Sequence, residues 1–202
     1  SQGGLTGAVY ASFETHLAGA VLSGAGGHLT TTVLVRKEPI DVRALAEGPL
    51  ILGIEGKESL EPYHPMLALM QALADAADPA SYGRYWISRP QGQPKHLYLT
   101  SGLLDPYTSA STAEILATSA SIPQLIPIGQ VSPSHVLAGL APVKAPVQDN
   151  VTSDSGVAVT AVFRQFPGEG HFPVFYNPSA RRQWVSFFDG VLHGSKVVVA
   201  AQ

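Results

Sequence analysis

Three short segments of this 202-residue chain set a reactive side chain among small, turn-forming neighbours. They are Ser1-Gln2-Gly3-Gly4, Ser101-Gly102-Leu103-Leu104-Asp105-Pro106-Tyr107 and Pro167-Gly168-Glu169-Gly170-His171-Phe172-Pro173. Each reads as a strand end or a helix start, where a side chain can be presented to a substrate. The residue types suit nucleophilic catalysis. A serine hydroxyl is a poor nucleophile until a base takes its proton. An imidazole, titrating near neutral pH, can take it. A carboxylate on the other ring nitrogen fixes the tautomer and stabilises the imidazolium that forms. Each residue also has a plainer reading. Ser1 is simply the first residue given, Asp105 is a turn residue before Pro106, and His171 is a loop histidine between glycines.

Other chemistry finds less support. There is no cysteine, which excludes disulfides, a thiolate nucleophile and a cysteine-ligated zinc site. His16, His28, His64, His96, His135 and His193 form no H-x-x-x-H or H-E-x-x-H pair, so no metal site is expected. His193 suits a helix C-terminus. Glu55, Glu58 and Glu61 read as a solvated stretch. Gly24-Ala25-Gly26-Gly27 has no lysine and no G-x-G-x-x-G frame, which argues against phosphate binding. No cofactor is expected. Tyr82, Tyr85 and Trp86 form an aromatic cluster that is a candidate wall for a substrate pocket, with core or lid packing as the alternative.

These residues need a framework, and the chain is rich enough in apolar residues to build one. The hydrophobic fraction is 45%, which excludes a disordered protein, while charged residues are only 13%. The net charge of −3 gives no footprint for nucleic acid, and no basic cluster points to a membrane surface. No apolar stretch reaches the roughly 18 residues of a membrane span. No signal peptide is visible, yet low charge with many Ser and Thr points to a secreted or periplasmic protein, cytoplasmic placement staying open.

Strand-like and helix-like segments alternate, the pattern of an α/β architecture. Leu5, Ala8, Val9 and Phe13 have helical spacing. Residues 17–22 form an apolar run ending in glycines, expected as a strand buried on both faces. Residues 33–35 are expected as a short strand. Residues 65–77 read as a helix with Leu67, Met70 and Leu73 on one side, stopped by Asp78-Pro79. Residues 28–94 as a whole read as an insertion or lid. Strands are expected at 96–100 and 157–166, a helix at 108–118, and extended or looped chain over the Pro-rich 123–146. Asn177 caps a final helix that starts at Pro178 and carries Trp184, Phe187, Phe188 and Leu192, with Gly194 as its stop.

The order Ser, Asp, His resembles the α/β-hydrolase superfamily of serine esterases and lipases. Ser1-Gln2-Gly3 is similar to the S-x-G half of that family's G-x-S-x-G turn. Asp105 follows a strand and precedes a helix, as the family's acid does. His171 lies in a glycine-flanked loop between the last strand and the last helix, as its histidine does. Residues 64–94 also resemble bacterial extracellular esterases and lipases. The resemblance covers essentially the whole chain and the second half of the fold. It implies a mostly parallel sheet flanked by helices, with residues 1–202 as the C-terminal part of one domain. It implies Ser1 as nucleophile, His171 as base and then acid, Asp105 as its orienting carboxylate, and the Gln2 amide as one oxyanion donor. The substrate would be a small apolar carboxylic ester. A companion N-terminal fragment would supply the upstream strands and the second oxyanion donor, and would pair the otherwise bare edge of the 17–22 strand. Two other readings stay open: an N-terminal-nucleophile amidohydrolase, and a non-catalytic binding module on a hydrolase scaffold.

Overall fold

The computed structural model describes residues 2–201. The chain runs through helix α1 (Gln2–Phe13), strand β1 (Gly19–Ser23), helices α2 (Leu29–Val35), α3 (Val42–Glu47) and α4 (Pro65–Ala74), and two 3-10 turns (Pro79–Ser81, Gly83–Tyr85). There follow β2 (His96–Gly102), α5 (Ala110–Ser119), β3 (Leu125–Ile126), α6 (Pro133–Leu137), β4 (Val143–Lys144), β5 (Val151–Thr152), β6 (Ala158–Val159), β7 (Ala161–Phe166), α7 (Pro173–Tyr176) and α8 (Pro178–Leu192). The result is a mixed α/β structure around a small parallel sheet of order β1-β2-β7. Leu22 aligns with Leu99 and Leu99 with Phe163, which fixes the register.

The sheet strands are near-continuous apolar runs because both of their faces are covered. On one face Leu97, Leu99, Ala161 and Phe163 pack with Ala8 and Ala11 of α1 and Leu116 and Ala117 of α5. On the other, Tyr98 and Val162 pack with Phe187 of α8, and Val21, Trp184 and Phe188 close around them. Asn177 caps α8 as its position suggests, its side-chain oxygen accepting from Ser179 N and Ala180 N at 2.9 and 3.2 Å.

Three local expectations are corrected. Residues 33–35, read as a strand from their β-branched run, belong to helix α2. The buried Asp78 carboxylate accepts from His28 N and Leu29 N at 2.8 and 2.7 Å, satisfying the helix start from 49 to 50 residues away in sequence. Val33 and Leu34 then pack against the small core of Ala46, Leu60 and Leu67, so tertiary burial overrides local propensity. Leu73 does not share the face of Leu67: it is 87% exposed. Six residues of helix turn it about 120° away from Leu67. The strand expected at 157–166 divides at Thr160, whose N–H donates to His96 Nδ1 at 2.9 Å. Before it, β6 pairs antiparallel with β5; after it, β7 runs parallel to β2.

A buried lysine works against stability. Lys95 is fully buried and, among the described residues, its Nζ has no hydrogen-bond partner. Burial pushes its pKa below the ordinary 10.5, an effect that Glu14 only partly offsets. Lys95→Met should therefore stabilise the fold at neutral pH by about 1–3 kcal/mol, read as a melting temperature raised by about 2–4 °C per kcal/mol. Because the folded-state pKa is lowered, the folded protein binds fewer protons, and the parent gains stability as pH rises toward the unfolded value. The advantage of the variant should shrink along the same pH range in thermal melts.

Candidate active site

The sheet brings the second and third reactive segments together at the C-terminal ends of two adjacent strands. The loop after β2 and the loop after β7 are laced by Leu103 N to Phe166 O at 3.1 Å and Leu104 N to Glu169 O at 3.0 Å. Gly102 permits this approach, since a Cβ there would overlap the carbonyl oxygens of Glu169 and Gly170. Asp105 and His171, 66 residues apart, meet across the junction: His171 Nδ1 lies 2.7 Å from Asp105 Oδ2.

The acid is held rigidly. Its Oδ1 accepts from Tyr107 N at 2.8 Å and Thr108 N at 2.9 Å, the local turn that an Asp before a proline favours. Oδ2 is thereby aimed at the imidazole. The side chains are 1% exposed for Asp105 and 6% for His171, so the pair is shielded from water. A carboxylate only accepts hydrogen bonds, so the proton between the two belongs to Nδ1, and Nε2 is the basic nitrogen of the neutral ring. Tyr107 and Phe172 flank the ring at centroid distances of 5.0 and 4.7 Å.

The first turn of α1 reaches the same place. A Cβ on Gly4 would lie 3.1 Å from Ala25 and from Gly24 O, so α1 rests on the turn that follows β1. A Cβ on Gly3 would meet nothing within 4 Å, so the close packing is at Gly4. Gly24 in turn abuts His171. Gly3, Gly4, His171 and residues 21–23 of β1 all line one cleft of about 450 Å³, whose walls also include apolar residues such as Phe172 and Trp184. Gln2 opens α1, where the first N–H groups have no intrahelical partner. Ser1, the expected nucleophile, and its hydrogen bond to His171 lie outside the described residues.

Tyr82, Tyr85 and Trp86 are not brought to this cleft. Trp86 is fully buried in the core beneath α1, its Nε1 donating to Ala8 O at 2.9 Å. Tyr82 packs edge-on against Phe13 at 5.4 Å and donates its hydroxyl to Ala76 O. Tyr85 lies under the Arg84 guanidinium. Of the three, Trp86 packs in the core, while Tyr82 and Tyr85 are half-buried. Gly24, Thr108 and Tyr107, by contrast, touch or support the Asp105–His171 pair, and no periodicity or spacing marks them for that role.

The other buried histidines have structural partners. His135 Nε2 donates to Ile122 O at 2.9 Å and its Nδ1 meets the Ser132 hydroxyl at 2.9 Å. Burial pushes the pKa of both His135 and His96 down. Among the described residues no group of three His, Cys, Asp or Glu could hold a metal ion. No helix among them is long and apolar enough to cross a membrane. In comparison with known proteins, no family model matches the chain and no curated protein matches it.

Proposed function

We propose that the protein is a serine ester hydrolase of the α/β-hydrolase type. The observation that carries this reading is the buried contact of 2.7 Å between Asp105 and His171 at the ends of two adjacent parallel strands, in reach of the first turn of α1. In this mechanism His171 Nε2 takes the Ser1 proton as Ser1 Oγ attacks the acyl carbon. Asp105 stabilises the resulting imidazolium. The Gln2 amide, at the positive end of α1, donates to the oxyanion. His171 then returns the proton to the leaving alcohol, the C–O bond breaks, and an acyl-enzyme remains. Water, deprotonated by His171, attacks that ester and releases the acid and free Ser1.

An apolar ester is the substrate class that the surroundings favour. Phe172 and Phe175, which line the same cleft as His171, expose large apolar surface. The all-parallel central sheet argues against an N-terminal-nucleophile amidohydrolase, which requires stacked antiparallel sheets. The same reading gives the companion fragment a place. Among the described residues β1 pairs only with β2, and its other edge faces the apolar cleft. A free strand edge flanked by apolar walls suits another strand better than an acyl chain. The proposal is tested by a serine-directed phosphonate, which should add its mass to the peptide containing Ser1.

A further inference from the structure

We infer that Thr108 is a positioning residue that locks the acid and the imidazole into one unit by holding the Gly24 backbone against the edge of the ring. The inference rests on the proposed Asp105–His171 pair but concerns a residue outside it. Thr108 is buried and makes two hydrogen bonds in different directions. Its backbone N–H donates to Asp105 Oδ1 at 2.9 Å. Its hydroxyl donates to Gly24 O at 3.0 Å, across 84 residues of sequence. One residue therefore holds the acid with its backbone and the turn after β1 with its side chain.

Gly24 is the wall of the ring. Its φ of 61° lies in the left-handed region, and a Cβ built there would lie 2.6 Å from His171 Cε1, 3.1 Å from Nδ1 and 3.2 Å from Nε2. The bare backbone of Gly24 thus sits against the edge of the imidazole that carries both nitrogens. The bond from Nδ1 to Asp105 fixes one point of the ring, and one hydrogen bond does not by itself set a ring's rotation. Tyr107 and Phe172 restrict that pivot from their sides. Gly24 restricts it from the reactive edge. A glycine backbone is too free to act as a wall unless it is tied down. The Thr108 hydroxyl is that tie, and Gly27 N to Thr112 O at 3.0 Å anchors the other end of the same turn on α5. Ser109, the residue that caps α5, makes no side-chain capping bond. The Thr108 hydroxyl is likewise spent on Gly24 rather than on its own helix.

The test compares Thr108→Val, which keeps the shape and removes the donor, with Thr108→Ser, which keeps the donor. Thr108→Val should lower kcat for a short apolar ester on the order of tenfold to a hundredfold, the loss expected when a catalytic group is misplaced by about 1 Å. KM should be little changed, and Thr108→Ser should restore kcat. A second readout does not depend on turnover. The Nδ1–H proton of His171, assigned by its absence in His171→Ala, should broaden or vanish from the proton NMR spectrum in Thr108→Val and persist in Thr108→Ser. If ester turnover is absent throughout, this spectroscopic pattern still upholds the clamp and only the enzyme reading fails. Parental kcat together with a parental resonance in Thr108→Val overturns the inference, as does equal loss in Thr108→Ser. Should Thr108→Val not fold, Thr108→Ala, which also lacks the donor, replaces it under the same criteria.

Discussion

Replacing His171 with Ala should lower ester turnover by roughly 10³- to 10⁶-fold, because the Ser1 hydroxyl then has no base and the leaving alcohol no acid. The change removes the imidazole from a buried site and leaves the Asp105 carboxylate with only its two backbone donors, Tyr107 N and Thr108 N. Some stability should be lost with it, about 1–3 kcal/mol, the cost of depriving a buried polar group of a partner. Thermal melting separates that loss from the chemistry: the variant should remain folded at assay temperature while turnover falls to the residual level of binding alone. A folded variant that keeps most of its kcat would remove His171 from the mechanism.

Asp105→Asn should lower kcat by about 10⁴-fold with little effect on the fold, for a reason specific to this site. Oδ1 of Asp105 already accepts two backbone N–H groups. An asparagine must keep its one oxygen there, since turning its amide nitrogen toward them would set donor against donor. Its NH₂ group then faces His171 Nδ1, which must become an acceptor. The ring proton moves to Nε2, the nitrogen that has to act as base. The expected signature is a large fall in kcat with a small change in KM and a parental melting curve. A variant within tenfold of the parent would mean that the carboxylate does not set the tautomer, contrary to the template of such triads.

The parts of the fold that could be read from the chain share a cause. The runs that became β1, β2 and β7 are largely buried and carry compact apolar stretches, Ala20–Leu22, Leu97–Leu99 and Ala161–Phe163, which can be recognised without a partner. Asn177 and Pro178 mark the start of α8 by local chemistry alone. What was not legible depends on distant residues. Helix α2 exists over a β-branched run because Asp78 satisfies its first N–H groups. The division of β6 from β7 depends on His96 taking the N–H of Thr160. Trp86 is a candidate for the pocket by sequence because aromatic clusters serve both purposes, and its complete burial with the bond to Ala8 O assigns it to the core. The site divides in the same way. Asp105 and His171 stood out by residue type among turn-forming neighbours, and they meet. Gly24 and Thr108 carry no signal of their own, since a glycine after a strand and a threonine before a helix are ordinary until the loops are folded together.

The most direct test of the account is covalent labelling with a fluorophosphonate, followed by mass analysis of the digested protein. Such reagents form a bond with a serine only when a neighbouring base has activated it, so labelling reads the nucleophile and its base in one measurement. The account predicts one adduct, on the peptide that contains Ser1, formed by the parent and lost in His171→Ala. No adduct on the folded parent, an adduct on another serine, or labelling of Ser1 that persists without His171 would contradict it.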